Sequence, residues 1–256
     1  MMKVAFGQTK ILRKPVVGFM HALVWWGFLV ILIGSIEMVI DGLFGTERVF
    51  SSLGVVYDVI IASGDIFAFV IFLLILAFLI RRIFMNIKRF NGAEMTHKSH
   101  VDANVALTMI LLLMVSLQGL NVFYFIEASS SGHGVEGVYP VSKILSGLFS
   151  GLGESQAHLL HEINWWAHIL LIFVFANYLP YSKHFHVYTS LPNVYFAKYD
   201  DKKYALKTMD LEDENVEQFG VADIEHLSWK QMLDGYTCTE CGRCTSVCPA
   251  NQTGKE

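Results

Sequence analysis

Four apolar stretches, each close to the length of a bilayer span, constrain this chain more than any other feature of its sequence. A transmembrane helix needs about 20 consecutive, mostly apolar residues. The stretches run approximately over residues 16–40, 55–80, 103–126 and 163–179. The fourth is expected to begin near Ala157 and to continue past Pro180 to about His186. The sequence therefore predicts an all-α membrane protein built on a bundle of four transmembrane helices.

Composition supports this fold class and excludes several others. Hydrophobic residues make up 54% of the 256 residues and charged residues only 16%, whereas an average soluble domain carries roughly 25% charged residues. A soluble globular domain, a disordered chain, a collagen-like chain and a secreted disulfide scaffold are therefore excluded. The net charge of −4 offers no bulk attraction to nucleic acid. No short apolar run with a cleavage site precedes the first stretch, so that stretch is predicted to remain as a membrane span.

The distribution of basic residues predicts the orientation in the membrane. Lysine and arginine are concentrated before the first stretch and between the second and the third. These residues are Lys3, Lys10, Arg13, Lys14, Arg81, Arg82, Lys88, Arg89 and Lys98. The two opposite loops carry only Arg48 and Lys143. Short cytoplasmic loops carry the excess of basic residues, so we expect a multi-pass protein of the bacterial cytoplasmic membrane with both termini in the cytoplasm.

The chain is predicted to divide into three parts. Residues 1–186 form the transmembrane domain, residues 187–222 an acidic linker, and residues 223–256 a cytoplasmic segment that carries all the cysteines. Two shorter helices are also expected. Residues 140–152 are too few to span a bilayer and fit an interfacial or re-entrant helix, and residues 223–234 have an amphipathic pattern.

The cysteines form one compact motif. Cys238, Cys241, Cys244 and Cys248 follow the pattern C-x2-C-x2-C-x3-C and are followed by Pro249. This is the spacing of bacterial ferredoxins, in which the thiolates bind a [4Fe–4S] cluster. Structural zinc is the alternative, although zinc usually takes two C-x2-C pairs set far apart, and a disulfide is disfavoured in a reducing cytoplasm. The motif predicts a small ferredoxin-like iron–sulfur tail attached to the helical bundle.

Only one such motif is present. In two-cluster ferredoxins the fourth cysteine of one motif binds the other cluster. Either Cys248 completes a single cluster, or a second motif lies outside this sequence. Because the sequence ends eight residues after Cys248, we expect the cluster-binding part to be incomplete, as in a truncated reading frame or a split gene.

Three histidines fall within or at the ends of the predicted spans, where polar side chains are costly and usually functional. His21 and His186 lie at similar depth near the cytoplasmic face, and a b-type haem takes one neutral imidazole on each side of its iron. They form the preferred haem-ligand pair; the alternative is that each is an interfacial histidine bound to headgroups or backbone. His168 shares a helix face with His186, whereas His184 is expected to point the other way.

His168 and three carboxylates leave alternatives open. With an unidentified partner, His168 would bind a second haem. Otherwise it forms a quinone or proton site with Asp65 or Glu162. Asp65 and Glu37 lie within predicted spans, where a carboxylate either handles protons or makes interhelical hydrogen bonds.

Two segments resemble a known family. His168 to His186, with NYLPYSKHFH before VYTSLP, resembles the last haem-bearing helix of the respiratory nitrate reductase gamma subunit family, which includes the membrane subunit of heterodisulfide reductase. The tail LSWKQMLDGYTCTECGRCTSVCPANQTGK resembles the start of a heterodisulfide-reductase-like iron–sulfur subunit. The combination is similar to membrane-bound (Fe–S)-binding oxidoreductases of bacteria, some of which are thought to accept electrons from electron-transfer flavoprotein.

The resemblance implies a b-type cytochrome domain that exchanges electrons with menaquinone. His21 and His186 match the haem ligands near the cytoplasm, and His168 matches a ligand of an outer haem. Members with two haems carry a further histidine where this chain has Ile31. The implied cofactors are a [4Fe–4S] cluster and one haem b, or two if His168 has a partner. The implied soluble partner is electron-transfer flavoprotein or a heterodisulfide-reductase-like subunit.

Two other functions remain as alternatives to electron transfer. The first is a haem-free membrane anchor that holds the iron–sulfur segment for a partner oxidoreductase. The second is an ion or substrate transporter that uses Asp65 and Glu37, which the lack of a broken-helix repeat disfavours.

Overall fold

The computed structural model describes residues 1–92, 95–132, 134–197, 211–212 and 220–254. These residues form helices and connecting turns, with no strand among them. In chain order the α-helices are α1 Pro15–Phe44, α2 Val55–Phe84, α3 His97–Ser131, α4 Pro140–Ser146, α5 Glu154–Tyr178, α6 His186–Tyr195, α7 Trp229–Thr237, α8 Arg243–Val247 and α9 Pro249–Gln252. Short turns connect them at Val49–Leu53, Lys88–Phe90, Gly147–Phe149, Leu179–Tyr181, Lys183–Phe185 and Ile224–His226, and a π-helical turn covers Met2–Phe6.

Four helices of the described chain are long and apolar enough to cross a membrane, the same number as the apolar stretches of the sequence. They are α1, α2, α3, and α5 with the turn that follows it. Their exposed surfaces are largely apolar, as suits helices that face lipid. The short segment after α3 is also confirmed as a helix, α4, which continues into the turn Gly147–Phe149.

The spans pack in sequence, with α1 against α2, α2 against α3, and α3 most extensively against α5. The buried core lies between α2 and α3 and contains Ile71, Ile75, Leu79, Leu113 and Met114. Small residues allow the closest approaches. A Cβ on Gly27 would lie 2.7 Å from the Phe67 ring, and one on Gly119 would lie 2.3 Å from the Asn164 side chain. Membrane helices commonly pack closely through such residues.

The fourth span differs from its prediction. A helix that continued past Pro180 to about His186 was expected, but α5 ends at Tyr178 and two 3₁₀ turns precede α6. Pro180 lies in the first turn, where its missing N–H cannot continue the helical ladder, and the Ser182 hydroxyl accepts a hydrogen bond from the His184 amide. His168 and His186 therefore do not share one face of a continuous helix.

The chain after the spans also departs from expectation. Helix α6 occupies the start of the stretch predicted as linker, while residues 198–210 and 213–219 of that stretch lie outside the described residues. The amphipathic helix expected over residues 223–234 is divided into the turn Ile224–His226 and helix α7. Ser228 begins α7, since its hydroxyl accepts a hydrogen bond from the Gln231 amide. Helix α7 packs against α6 and thereby sets the cysteine segment beside the membrane helices.

Successive long helices run in opposite directions, so their termini meet at two ends of the bundle, which are called here the cysteine end and the cavity end. The cysteine end contains the start of α1, the end of α2, the start of α3, the end of α5 and the cysteine segment. The cavity end contains the opposite termini of these helices together with α4. All candidate functional residues lie in one of these two halves or, for His168, between them.

Candidate functional site

Three histidines cluster at the cysteine end. His21 is on α1, and His184 and His186 lie in and just after the turns that follow α5. The rings of His184 and His186 are 5.3 Å apart in an edge-to-face arrangement, and His21 lies within electrostatic range of His186. His184, which was expected to point away, thus lies beside His186, and His21 is near enough to interact electrostatically with His186. The expectation for His184 was wrong because the helix breaks before it.

The surroundings of this cluster favour neutral imidazoles. Burial lowers the pKa of His184 to about 4, with a further contribution from His186, and burial also lowers the pKa of His186. The Nδ1 atom of His186 lies 3.0 Å from the carbonyl oxygen of Lys183. Because a carbonyl only accepts, Nδ1 carries the proton and Nε2 presents a lone pair, as in metal-binding histidines held by a backbone carbonyl.

His168 is placed differently, deep in the bundle and 2% exposed. Its Nδ1 atom lies 2.9 Å from the hydroxyl oxygen of Ser116, and that hydroxyl donates to the Leu113 carbonyl at 3.0 Å. Ser116 therefore accepts the Nδ1 proton, and the Nε2 lone pair of His168 is available. The side chain that His168 contacts by hydrogen bonding is this serine.

A cavity of about 820 Å³ opens at the other end of the bundle, between α1, α2, α3, α5 and the loops that join them. All three carboxylates predicted for quinone or proton handling, Glu37, Asp65 and Glu162, line it. Glu37 is buried and accepts a hydrogen bond from the Phe50 amide at 2.9 Å. His161 lies on the same wall with its Nδ1 atom 3.2 Å from the Leu120 carbonyl.

Asp65 has a structural role that its sequence position did not reveal. Its side chain is fully buried, and one carboxylate oxygen accepts from the amides of Val141 and Ser142 at 2.7 and 3.0 Å. The other accepts from the Ser142 hydroxyl at 2.5 Å and the Gln118 side-chain amide at 3.0 Å. A carboxylate at a helix N-terminus satisfies free amides and complements the helix dipole. Asp65 thus anchors α4 against α2 and α3.

Arg48 is enclosed by tyrosines beside the same cavity. Its guanidinium donates to the hydroxyls of Tyr139 at 2.6 Å and Tyr57 at 3.1 Å and lies 3.6 Å from the centre of the Tyr124 ring. Burial raises the pKa of Tyr139, so its phenol stays protonated. No ion pair between Arg48 and a carboxylate occurs among the described residues.

The four cysteines are spread over the short helices of the tail. Cys238 ends α7, Cys244 lies in α8, and Cys248 joins α8 to α9. All four are free thiols; Cys238 and Cys244 are exposed, and Cys241 and Cys248 are partly buried. Sharp turns within the motif use left-handed backbone at Glu240 and Gly242.

The cysteine segment is held against the membrane helices by polar contacts. The Lys183 ammonium lies 3.2 Å from the Glu240 carboxylate and also donates to the Ser99 hydroxyl at 2.5 Å. The Lys183 amide donates to Asp102 at 3.0 Å. Hydrogen bonding to Ser99 and the neighbouring Lys183 hold the pKa of Glu240 below its ordinary value. Glu240 therefore stays ionised, and it connects the stretch that carries the four cysteines, residues 238–248, here called the cysteine loop, to the turns that follow α5.

The cysteine thiols and the histidine nitrogens can be compared with what zinc, a cubane cluster and haem each require of their ligands. No three described His, Cys, Asp or Glu side chains converge as ligands of a single metal ion, which a structural zinc site would require. A cubane cluster instead takes each thiolate on a different iron, and four free thiols on one loop suit it. For haem, the buried Nδ1 atoms of His21 and His184 have no hydrogen-bond partner among the described residues, so these imidazoles are free to act as ligands.

Sequence reasoning missed two residues of these sites, His184 and Arg48. Arg48 carried a signal, since it is one of two basic residues in the loops predicted to lie outside the cytoplasm. His184 carried a weaker signal, since it lies two residues from a predicted ligand.

The fold and these sites together define a helical protein that has four helices long and apolar enough to cross a membrane and a cysteine-rich segment at one end. The chain is 32% identical over 253 residues, 98% of its length, to a Bacillus subtilis protein named "Probable iron-sulfur-binding oxidoreductase FadF". It is 25% identical over 256 residues to the "EtfAB:quinone oxidoreductase" of Syntrophomonas wolfei. The chain is therefore related to iron–sulfur oxidoreductases, and it spans about a third of the length of these curated relatives, 34% of each. No protein-family model matches it, and no solved structure matches it.

Proposed function

We propose that this chain is a membrane-bound electron-transfer subunit that passes electrons between a cytoplasmic donor and menaquinone. Its carriers are a [4Fe–4S] cluster and b-type haem. The observation that carries the proposal is the meeting of two ligand sets at one end of the bundle. The histidine cluster and the cysteine segment are neighbours, since Lys183, next to His184, lies 3.2 Å from the carboxylate of Glu240, next to Cys241.

Each part of the chain has a role in this proposal. Residues 1–186 form the cytochrome b-like domain of the nitrate reductase gamma type, 187–222 the linker and 223–256 the cluster-binding segment, ferredoxin-like in its cysteine spacing. Cys238, Cys241, Cys244 and Cys248 hold the cluster.

His21 and His186 hold the haem near the cysteine end, and both cofactors supply one-electron chemistry. The Lys183 carbonyl fixes the tautomer of His186, so that its Nε2 lone pair would be available to bind the haem iron. His168 has the same tautomer, fixed by Ser116. It is the ligand of a second haem or a hydrogen-bonding group for quinone.

The cavity end is the proposed site for quinone and proton handling. Glu37, Glu162 and Asp65 line one space of a size that accepts a quinone ring. Of the three, Asp65 accepts three hydrogen bonds from α4 and two from α3, so Glu37 and Glu162 are the preferred proton carriers. The name of one relative, EtfAB:quinone oxidoreductase, supports electron-transfer flavoprotein as the donor and quinone as the acceptor.

A reduced-minus-oxidised optical spectrum of the purified chain, with haem quantified against protein, tests the proposal first. About one haem b per chain supports His21 and His186 as the single pair. About two per chain means that His168 binds the second. A spectrum without haem, from cells able to supply it, contradicts the cytochrome assignment and leaves the second candidate function, a membrane anchor for the iron–sulfur segment.

Quinone-linked turnover tests the cavity separately. Glu37→Gln and Glu162→Gln should slow electron transfer to a menaquinone analogue while the haem spectrum stays unchanged. Glu225→Gln, on the exposed turn before α7, is the matched control. Equal turnover in all three variants would contradict the placement of quinone in this cavity.

A further inference from the structure

The turn between α2 and α3 supports the cysteine loop directly. Gly242, between Cys241 and Arg243, has a positive φ of 68°. A Cβ on Gly242 would lie 2.3 Å from the backbone carbonyl oxygen of Arg89. Neither the conformation nor the space suits another residue. The cysteine loop therefore rests, backbone against backbone, on the turn Lys88–Phe90 of the membrane domain.

The Arg89 side chain at this contact is partly buried and incompletely bonded. Its Nε atom is buried without a hydrogen-bond partner among the described residues. Its guanidinium carbon lies 5.0 Å from the centre of the Phe90 ring. Arg243 and Cys241 of the cysteine segment lie within electrostatic range of this guanidinium. Arginine stays protonated in proteins, so a fixed positive charge with a free donor stands beside one predicted cluster ligand.

A charge in this position acts on the two redox states of a cluster unequally. One-electron reduction adds one negative charge to the cluster and its four thiolates, with no proton taken up and no bond made or broken. A nearby cation stabilises the more negative state more strongly, and the effect grows where water is excluded. Charge and hydrogen bonds to the sulfurs are known means of setting cluster potentials.

We propose that Arg89 is a positioning residue that raises the reduction potential of the cluster, through its charge and a hydrogen bond from its free donor toward Cys241. This inference rests on the proposed function, because it requires the cluster. Its consequence is that the membrane domain, rather than the cysteine segment alone, sets how readily the cluster accepts an electron from the cytoplasmic donor.

Redox titration of the cluster, followed by electron paramagnetic resonance on membranes containing the full chain, tests the proposal. Arg89→Gln should shift the midpoint potential to more negative values, whereas Arg89→Lys should restore most of the wild-type value. Lys88→Gln is the matched control, because it removes the same charge from an exposed neighbour in the same turn, where water and salt screen it. An Arg89→Gln midpoint equal to that of wild type would overturn the proposal.

A second variant covers the case in which Arg89→Gln assembles no cluster. Gly242→Ala keeps the Arg89 charge but forces the loop away from the Arg89 carbonyl, and it should also lower the midpoint. An unchanged midpoint in Gly242→Ala would then overturn the proposal. Absence of any cluster signal in the wild-type chain would instead contradict the proposed function itself, which distinguishes the two failures.

Discussion

The two halves of the bundle satisfy their buried polar groups in different ways. At the cavity end, Asp65, Glu37 and Arg48 are bonded to amides, a serine and tyrosines of the protein itself. Six buried side-chain atoms lack a hydrogen-bond partner among the described residues, and five of them lie in the cysteine half. These five belong to Gln8, His21, Trp25, Arg89 and His184, and the sixth is Oε1 of Gln118.

This difference indicates which end depends on groups other than the polypeptide. Buried polar atoms without partners are rare in folded proteins and call for a specific explanation. Two of the five atoms belong to His21 and His184 beside the cysteine segment, which fits the proposal that this end binds a cofactor. At the cavity end one such atom, Gln118 Oε1, is found among the described residues, and the open space there suits a site that exchanges a mobile ligand.

The largest effect should come from removing one thiol at the cysteine end. Cys241→Ala is expected to abolish the iron–sulfur signal in washed membranes while membrane insertion survives, because a cubane needs its four thiolates and the spans do not involve the tail. Electron paramagnetic resonance of reduced membranes measures this. Thr239→Ala, in the same loop, should keep the signal, and an unchanged spectrum in Cys241→Ala would refute the cluster assignment.

The next effect should be loss of haem from the histidine cluster. His21→Phe and His186→Phe should each remove the haem of the cysteine end, as measured by the reduced-minus-oxidised spectrum. His184→Phe should retain more haem, because no hydrogen bond fixes the His184 ring as the Lys183 carbonyl fixes that of His186. His158→Gln, an exposed residue paired with Glu127 at the cavity end, is the control.

Retention of full haem in both His21→Phe and His186→Phe would contradict this pairing. If turnover with quinone also persisted in both variants, the anchor function would replace the cytochrome.

At the cavity end the expected effect is on stability. Asp65→Ala leaves the amides of Val141 and Ser142 without their acceptor and removes one of the two acceptors of the Gln118 side-chain amide. The expected loss is about 2 to 5 kcal/mol of unfolding free energy, measured by thermal unfolding in detergent. Asp65→Asn should lose part of this unfolding free energy, because the NH₂ group of asparagine would face N–H or O–H groups that now donate to the Asp65 carboxylate.

The same two variants separate the roles of Asp65. Wild-type stability in Asp65→Asn together with lost quinone turnover would show a proton role and would contradict the anchoring role.

The smallest expected effects are changes in unfolding free energy on substituting two glycines of α1, one at each end of the bundle. A Cβ on Gly18 would lie 2.2 Å from the Ile11 carbonyl, whereas nothing lies within 4 Å of one on Gly34. Gly18→Ala should cost about 1 to 3 kcal/mol by overpacking. Gly34→Ala should be neutral or gain up to about 1 kcal/mol from helix propensity. Thermal unfolding in detergent checks both, and equal effects would mean that the ends are equally packed.

The sequence by itself determined the parts of this protein that depend on local pattern. Hydropathy over about 20 residues fixes a membrane span wherever it occurs, so the four spans could be predicted without any knowledge of their packing. The cysteine spacing is equally local, because its ligands come from one loop. A proline interrupts a helix wherever it occurs, so a disturbance at Pro180 could also be predicted, although the length of the break after Tyr178 could not.

Tertiary structure alone decided which distant residues meet. The partners of Asp65 lie 53 and 77 residues along the chain, and the Tyr139 that bonds Arg48 lies 91 residues from it. The approach of His184 to His186 depends on two turns after α5, and the contact of Gly242 with Arg89 depends on how the tail docks. Periodicity assigns a side chain to a helix face but does not specify the rotation, depth or neighbour of that helix. These are set by packing between segments, where a buried polar group is stable only if its partner arrives from elsewhere in the chain.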